Sequence, residues 1–279
     1  MNNIKTVICS VGDYSNYNNM NTLEKSSIAD NKLIKESLLH GIYIQQRNII
    51  DCSQTTAVSF NKFLTAIQKL NNSEISIFYL SGHGGIINGV YNFYFSDKPY
   101  PFSEIMEKIK KINSPIKIIF LDSCQSGTDI VENYFNSMDY NFEHENNDAY
   151  LFFASSAIDE LSSAFSDGSL FTKCLSWAID DNLNKNKTHT LFNIVFLTYL
   201  YLKKRTNNQN CMLRTNIIGD VFFHNKYNMT PLMLGPTEPN EYDFKIEELF
   251  EIEKRLIELY EVMKKTILNI LAMKRMMMN

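Results

Sequence analysis

Two short turns rich in glycine and serine carry the residues of this chain that are best suited to nucleophilic chemistry. His83 lies in the turn at residues 81–85, and Cys124 lies in the turn at residues 122–127. A thiol attacks a carbonyl carbon as the thiolate, which a nearby imidazolium or a helix N-terminus favours. Backbone N–H groups of such turns can bind an oxyanion, and the candidates are those of Gly84 and Cys124. The two turns therefore predict a Cys/His site.

Each turn directly follows an apolar run rich in Ile and Phe, at residues 75–80 and 116–121. Apolar runs of this length that end in glycine-containing turns are typical of strands buried on both faces of a parallel sheet. The carboxyl ends of parallel strands meet at one edge, where open α/β sheets bind their ligands. We therefore expect His83 and Cys124 to lie at the same edge of a sheet.

Strands and helices alternate along the rest of the chain. Strands are expected at residues 4–9, 42–50, 149–154 and 217–223, with a hairpin at 90–95. Helices are expected at residues 23–39, 102–112, 129–135, 169–179 and 190–204, and another, capped by Thr55 or Thr56, runs to Leu70. This alternation predicts right-handed crossovers, and hence an α/β fold in which a largely parallel six-stranded sheet lies between helical layers.

Composition and charge argue against several classes of protein. A net charge of -4 gives no basic patch for nucleic acid, and no apolar window approaches the roughly 20 residues of a membrane span. Five scattered cysteines form no CxxC pair, so neither a disulfide framework nor a zinc site is expected. The sequence is interpreted as that of a cytoplasmic protein with reduced thiols.

The two turns resemble the motifs of a known superfamily. The sequences YLSGHGG at residues 79–85 and FLDSCQSG at 120–127 are similar to the histidine and cysteine motifs of the caspase/metacaspase cysteine peptidases, closer to metacaspases and their bacterial relatives than to animal caspases. Segments at 22–31, 153–162 and 168–172 follow in the family's order. The resemblance covers roughly residues 4–224 and implies a caspase-like three-layer α/β/α sandwich.

The resemblance also implies the roles of the reacting groups. Cys124 would be the nucleophile that forms an acyl-enzyme, and His83 would protonate the leaving amine and then activate water. The N–H groups of Gly84 and Cys124 would form the oxyanion hole. Gln125 departs from the His or Arg that most often follows the family cysteine, which leaves the surroundings of the thiol open.

Substrate choice is implied by acidic residues. By resemblance, Asp122, two residues before the cysteine, and Asp30 on the first helix line the S1 pocket together with Ser81. Two carboxylates in a partly desolvated pocket favour a guanidinium or ammonium group, so cleavage after Arg or Lys is expected. Alternatively, Asp30 is an exposed helix residue and Asp122 caps the helix that follows the turn.

Two other functions remain open from the sequence. A catalytically silent scaffold would keep the fold and signal by binding, although the presence of both His83 and Cys124 argues against it. A Cys/His thioesterase lacks a recognisable acyl-carrier site. No cofactor or metal is expected: calcium dependence is common in metacaspases, and Asp97 and Asp129 are possible ligands, but no cluster of carboxylates supports it.

The domain boundaries are expected at a proline-rich segment. Residues 1–229 would form the peptidase domain, 230–239 a linker, and 240–279 a long amphipathic helix that either docks on its own domain or binds a regulatory or sensor protein or a second copy. Protein substrates are the other expected partners. By resemblance, the protein would act in regulated cell death or defence.

Self-processing is constrained by charge. Residues 128–150 contain no Lys or Arg, so an enzyme specific for basic residues would not cut itself there. Lys185, Lys187 and the basic run at 203–205 are the alternative sites, unless activation needs no cleavage.

Overall fold

The computed structural model describes residues 3–127, 148–157, 159–184, 189–215, 217, 222 and 223. All of them belong to one compact unit, Met1–Met229. The helix expected at 129–135, the linker expected at 230–239 and the helix expected at 240–279 lie outside the described residues.

The described strands, in chain order, are β1 (Ile4–Ser10), β2 (Ile49–Asp51), β3 (Ile75–Ser81), β4 (Gly84–Ile87), β5 (Val90–Tyr94), β6 (Pro99–Pro101), β7 (Ile116–Asp122), β8 (Ala149–Ala154), β9 (Ala164–Phe165), β10 (Gly168–Ser169), β11 (His189–Thr190), β12 (Met212–Thr215) and β13 (Phe222–Phe223). The described α-helices are α1 (Glu24–His40), α2 (Phe60–Gln68), α3 (Phe102–Lys110), α4 (Leu170–Asn184) and α5 (Leu191–Arg205).

A six-stranded sheet forms the centre of the domain, in the order β12-β8-β7-β3-β1-β2. All neighbouring strands in it are parallel except β12, which runs antiparallel to β8. The central strands β3 and β7 are almost completely buried, as their continuous apolar runs predict. The expected largely parallel six-stranded sheet is confirmed.

Helices cover both faces of this sheet. The apolar side chains of α2 and α3 pack in one core with Phe78 and Leu80 of β3. Those of α1, α4 and α5 pack in a second core with Ile77 and Tyr79 of the same strand. Since successive side chains of a strand point to opposite faces, β3 separates two helical layers. The three-layer α/β/α sandwich is therefore confirmed.

Three predicted elements differ from the structure. The strand predicted at 42–50 is reduced to the three residues of β2, because Tyr43 adopts a left-handed conformation (φ 55°) and a 3-10 turn, Gln46–Asn48, follows. The cap of α2 is not Thr55 or Thr56 but Ser59, whose Oγ accepts a hydrogen bond from the N–H of Lys62. The helix starts later than its polar lead-in suggests.

The sixth strand of the sheet was also predicted at the wrong place. Of the apolar run 217–223, the structure describes residue 217 and β13, and β13 pairs with β11 outside the main sheet. The sheet is completed by β12, whose residues alternate between half-buried and exposed because it lies at the edge. Among the described helices, none combines the length and apolar character that a membrane span requires.

Candidate active site

The two predicted turns lie side by side at the carboxyl edge of the sheet. Strands β3 and β7 are neighbours, with Ser81 opposite Asp122, and the N–H of Gly82 donates to the carbonyl of Asp122 over 3.1 Å. His83 and Cys124 both line one cavity of about 230 Å³. The cavity is also lined by Asp30, Ser81 and Asp122. The structure thus brings together the predicted dyad and the predicted S1 residues.

Gly84 and Cys124 bring the two turns into direct contact. A β carbon added to Gly84 would lie 2.6 Å from the carbonyl oxygen of Cys124 and 2.5 Å from the hydroxyl oxygen of Tyr91. Carbon atoms do not approach oxygen so closely, and the carbonyl belongs to a fixed backbone. Only glycine therefore allows the histidine turn and the cysteine turn to pack at this distance.

The N–H of Gly84 faces the outer edge of a small sheet. The carbonyl of His83 accepts from the N–H of Tyr94 over 3.0 Å, which makes this a hydrogen-bonded pair in the β4–β5 ladder. Such pairs alternate with non-hydrogen-bonded ones, so Gly84, opposite Phe93, directs its N–H away from β5. Because β4 is the edge strand of its sheet, this N–H is not paired within that sheet, although Gly84 itself does not line the cavity.

Polar groups on both sides hold His83. Its Nε2 lies 2.8 Å from the carbonyl oxygen of Asn21, and because a carbonyl only accepts, Nε2 carries the proton. In the neutral ring, Nδ1 is then the free base. The backbone N–H of His83 donates to the hydroxyl of Tyr14 over 2.8 Å, and the two rings lie 4.5 Å apart. Burial lowers the pKa of His83, although the Asn21 carbonyl opposes this.

The thiol of Cys124 is half-buried and faces the carbonyl of Ser162, with Sγ 3.9 Å from the oxygen. The N–H groups on either side of Cys124 are fixed: that of Ser123 donates to Ser155 Oγ and that of Gln125 donates to the carbonyl of Glu160. Burial raises the pKa of the thiol, the backbone contact with Ser162 opposes this, and Asp122 adds a smaller increase.

Asp30 is a buried carboxylate, only 1% exposed. Its Oδ2 accepts a hydrogen bond from Ser81 Oγ over 2.8 Å, and its Oδ1 accepts from the N–H of Ser169 over 2.7 Å. Burial and the neighbouring Asp122 carboxylate raise the pKa of Asp30 to about 7. The alternative that Asp30 is an exposed helix residue is excluded.

Asp122 is buried as well, and hydroxyl groups surround it. Its Oδ1 accepts from Ser162 Oγ over 2.7 Å, and its Oδ2 accepts from Thr172 Oγ1 over 2.8 Å and from Ser169 Oγ. Within the described part of the chain, no Lys, Arg or His forms an ion pair with either Asp30 or Asp122. Buried carboxylates are usually paired with a cation, so this pocket is suited to bind one.

A family model described as the caspase domain matches residues 6–215, which are 210 of the 279 residues. The chain belongs to this family. No curated protein matches it. Among solved structures, protein GSU0716 from Geobacter sulfurreducens is similar in fold, with a TM-score of 0.54 at 16% identity over 76% of this chain and 92% of that one. At the level of its family, the chain is therefore a peptidase of the cysteine class.

Several polar residues of this caspase-family site were not predicted from the sequence. They are Tyr14 and Asn21 beside His83, and Ser162, Ser169 and Thr172 around Asp122. The segments at 153–162 and 168–172 resemble the family, and their many hydroxyl residues are the signal that could have identified the last three. Asn21 acts through its backbone carbonyl, for which a sequence offers no signal.

The described part of the caspase domain was not expected to hold a metal ion. No group of three or more His, Cys, Asp or Glu side chains there is arranged to hold a metal ion. Asp97 instead accepts from the N–H of Phe60 and from the hydroxyl of Tyr100. Asp129, the other possible calcium ligand, lies outside the described residues.

Proposed function

We propose that this caspase-family chain is a cysteine endopeptidase that cleaves proteins after Arg or Lys, with Cys124 as nucleophile and His83 as acid and base. One observation carries the proposal: the cavity that holds His83 and Cys124 also holds two buried carboxylates without a cation among the described residues. His83 and Cys124 carry out the reaction, and Asp30 and Asp122 select the substrate.

The reaction proceeds through an acyl-enzyme. Nδ1 of His83 takes the thiol proton as Cys124 Sγ attacks the scissile carbonyl carbon, and the oxyanion that forms is held by the N–H groups of Gly84 and Cys124. The C–N bond breaks as His83 gives the proton to the leaving amine. His83 then removes a proton from water, which attacks the thioester carbon to form a tetrahedral intermediate. The C–S bond of this intermediate breaks, the acid is released, and His83 returns the proton to the sulfur of Cys124.

A neutral resting pair is compatible with this sequence of steps. Burial raises the pKa of Cys124 and lowers that of His83, so the proton stays on sulfur until a substrate is bound. The Nε2–H of His83 donates to the Asn21 carbonyl throughout the reaction, and this hydrogen bond stabilises the imidazolium formed by proton transfer. The thiol is thereby protected from unselective reaction.

The preference for a basic residue follows from charge. A substrate guanidinium entering the cavity replaces its hydration with the carboxylates of Asp30 and Asp122, to which charge-assisted hydrogen bonds form. An acidic substrate side chain would instead add a third negative charge to a desolvated pocket. The hydroxyls of Ser81 and Ser162 orient the two carboxylates before the substrate arrives.

A panel of fluorogenic peptides that differ only in the residue before the cut tests the proposal. Arg and Lys peptides should be cleaved and citrulline and Asp peptides should not, and an electrophilic Arg peptide should label wild type but not Cys124→Ala. Asp122→Asn should lose cleavage of Arg peptides while the thiol still reacts with a small neutral alkylating reagent. A preference for Asp, or unchanged activity in Asp122→Asn, would contradict basic specificity. Failure of all peptides would favour the Cys/His thioesterase, and failure of the electrophilic Arg peptide to label Cys124 would favour the silent scaffold.

Partner binding is proposed for the amphipathic segment at 240–279. Its apolar stripe would bind a regulatory or sensor protein, or a second copy, and so couple the peptidase to a signal in cell death or defence. Deleting residues 240–279 should abolish complex formation and leave a folded enzyme. An insoluble truncated protein would indicate that the segment docks on its own domain instead.

A further inference from the structure

Gln209 lies in the segment between α5 and β12 and is almost completely buried, with 1% of its surface exposed. Its Oε1 accepts from the N–H of Ser163 over 3.1 Å, and its Nε2 donates to the carbonyl of Ser155 over 2.9 Å and to Ser162 Oγ over 3.3 Å. The orientation of the amide is fixed, because one partner only donates and another only accepts. Gln209 does not line the catalytic cavity.

The segment that Gln209 holds, residues 159–163, contacts both Asp122, which is proposed to bind the substrate side chain, and Cys124, the proposed nucleophile. Within it, Ser162 Oγ donates to Asp122 over 2.7 Å, and the carbonyl of the same residue faces the thiol of Cys124. This segment has no regular secondary structure, so its position is not determined by a ladder of its own. One residue thus links the S1 carboxylate with the nucleophile, and that residue is placed by Gln209.

The neighbouring Asn210 secures the same segment from its other end. Its backbone N–H donates to Glu160 Oε2 over 2.5 Å and its side-chain amide donates to Glu160 Oε1. The carbonyl of Glu160 in turn accepts from the N–H of Gln125, the residue after the nucleophile. Two adjacent amides therefore attach residues 159–163 to the rest of the domain.

We propose that Gln209 is a positioning residue that couples substrate choice to the nucleophile: it fixes Ser162, which orients Asp122 for the basic side chain and covers the Cys124 thiol. This inference rests on the proposed function and extends it to a residue outside the cavity. An amide is required because an acceptor for Ser163 and a donor for Ser155 and Ser162 must come from one side chain. A carboxylate or a thioether provides only part of this set.

The test compares Gln209→Met, which keeps length and volume without hydrogen bonds, with Asn208→Ala at the exposed neighbouring position. Active enzyme is first counted by titration with the electrophilic Arg peptide, so that a loss of folded protein does not appear as a loss of rate. We expect kcat/KM for Arg peptides to fall roughly 10²-fold in Gln209→Met, with contributions from both kcat and KM, because small displacements at a reacting centre have effects of this size. Asn208→Ala should match wild type.

Alkylation of Cys124 by iodoacetamide gives a second readout that needs no peptide. Loosening residues 159–163 exposes the thiol, so alkylation at a fixed pH should be faster in Gln209→Met and stay unchanged in Asn208→Ala. A role confined to stability would lower the melting temperature and leave both readouts at the wild-type value per active site. That result would overturn the inference, whereas a wild type that cleaves no basic peptide would overturn the proposed function.

Two further variants keep the inference testable if Gln209→Met does not fold. Ser162→Ala removes the hydroxyl link to Asp122 but keeps the carbonyl over the thiol, so KM for Arg peptides should rise while alkylation stays unchanged. Gln209→Glu retains the acceptor for Ser163 and should recover part of the loss. The double variant Gln209→Glu/Ser162→Ala should raise KM by less than the sum of the two single effects, because both substitutions act through the Ser162 hydroxyl. Additive effects would exclude the coupling.

Discussion

Asp30 and Asp122 share one hydrogen-bond partner: Ser169 donates its backbone N–H to Asp30 and its hydroxyl to Asp122. Two carboxylates that meet at one residue repel each other, and in a buried pocket this repulsion is screened little by water. The pKa of Asp30 is accordingly raised to about 7. The charge of the proposed S1 pocket thus depends on pH near neutrality, where most exposed carboxylates no longer titrate.

Binding of basic substrates should therefore weaken as pH falls through about 7, because Asp30 takes up a proton and the pocket loses one of two negative charges. The expected result is a rise in KM for Arg peptides below this pH. Asp30→Asn should show a raised KM with a flattened pH dependence. Asp167→Asn, at an exposed aspartate of the β9–β10 turn, is the matched control. An unchanged pH profile in Asp30→Asn would contradict the assignment.

The same carboxylate should reduce the stability of the unliganded enzyme at neutral pH. The pKa of Asp30 is higher in the folded state, about 7, than in the unfolded chain, so protonation of Asp30 favours the folded state. This stabilisation is fully present at acid pH and is lost as pH rises through the folded pKa. We expect Asp30→Asn to raise the free energy of unfolding by on the order of 2–4 kcal/mol at about pH 8 and by little at about pH 4. Denaturant titrations at both pH values measure this. An equal effect at both would indicate a cause other than charge.

Gly84→Ala should abolish most activity. Its new β carbon would meet the Cys124 carbonyl at 2.6 Å, so the histidine and cysteine turns must separate, which displaces the proposed oxyanion hole. We expect kcat to fall by roughly 10²-fold or more. In Gly85→Ala, the atoms nearest to the new β carbon belong to Tyr94 and lie 3.6 Å away, an ordinary van der Waals distance. This variant should keep near-normal activity. Equal losses in both variants would show that the spacing of the turns is not the cause.

Tyr14→Phe should lower kcat without changing KM. The variant keeps the ring against His83 but removes the hydroxyl that accepts the histidine N–H, and Tyr14 does not line the cavity. Loss of one hydrogen bond of this kind corresponds to roughly a tenfold effect. Tyr17→Phe, which loses a hydroxyl bonded to the Phe95 carbonyl, is the control. A kcat equal to that of Tyr17→Phe would argue against a role in placing His83.

Self-processing should leave residues 128–150 intact, because they contain no Lys or Arg. Of the alternative sites, the run Lys203–Arg205 forms the last turn of α5. A protease cleaves extended backbone, so within this run the bond after Arg205, at the end of the helix, is the candidate for cleavage. Lys185 and Lys187 lie outside the described residues. Intact-mass measurement of purified wild type and Cys124→Ala identifies any cut. A fragment ending within 128–150 would contradict basic specificity.

The central part of the fold was predictable because one strong signal determines it. The runs at 75–80 and 116–121 are apolar except for Ser76 and Lys117, which is typical of buried strands, and the turns after them then meet at one edge. The strand predicted at 42–50 failed for a local reason: Ile42 and Ile44 are buried as expected, but the left-handed backbone at Tyr43 turns the chain away from the sheet.

The site was predictable where chemistry lies in a motif and not where it depends on tertiary contact. His83 and Cys124 are recognisable from their own turns. Ser169 meets Asp30 only because the β9–β10 hairpin packs against α1, and Gln209 meets residues 159–163 from a segment some 50 residues further along. Asparagine and glutamine in loops are common, and nothing in the sequence distinguishes the one that is buried.

The sheet order bears on what happens if another protease cuts the chain between 128 and 147. Strand β7 lies before this interval and β8 after it, yet the two are adjacent and parallel over six residue pairs. The buried Lys117 also reaches across to Asp148 over 2.5 Å. The two polypeptides produced by such a cut would stay assembled as a heterodimer, with Cys124 on one chain and Ser162, Ser169 and Gln209 on the other.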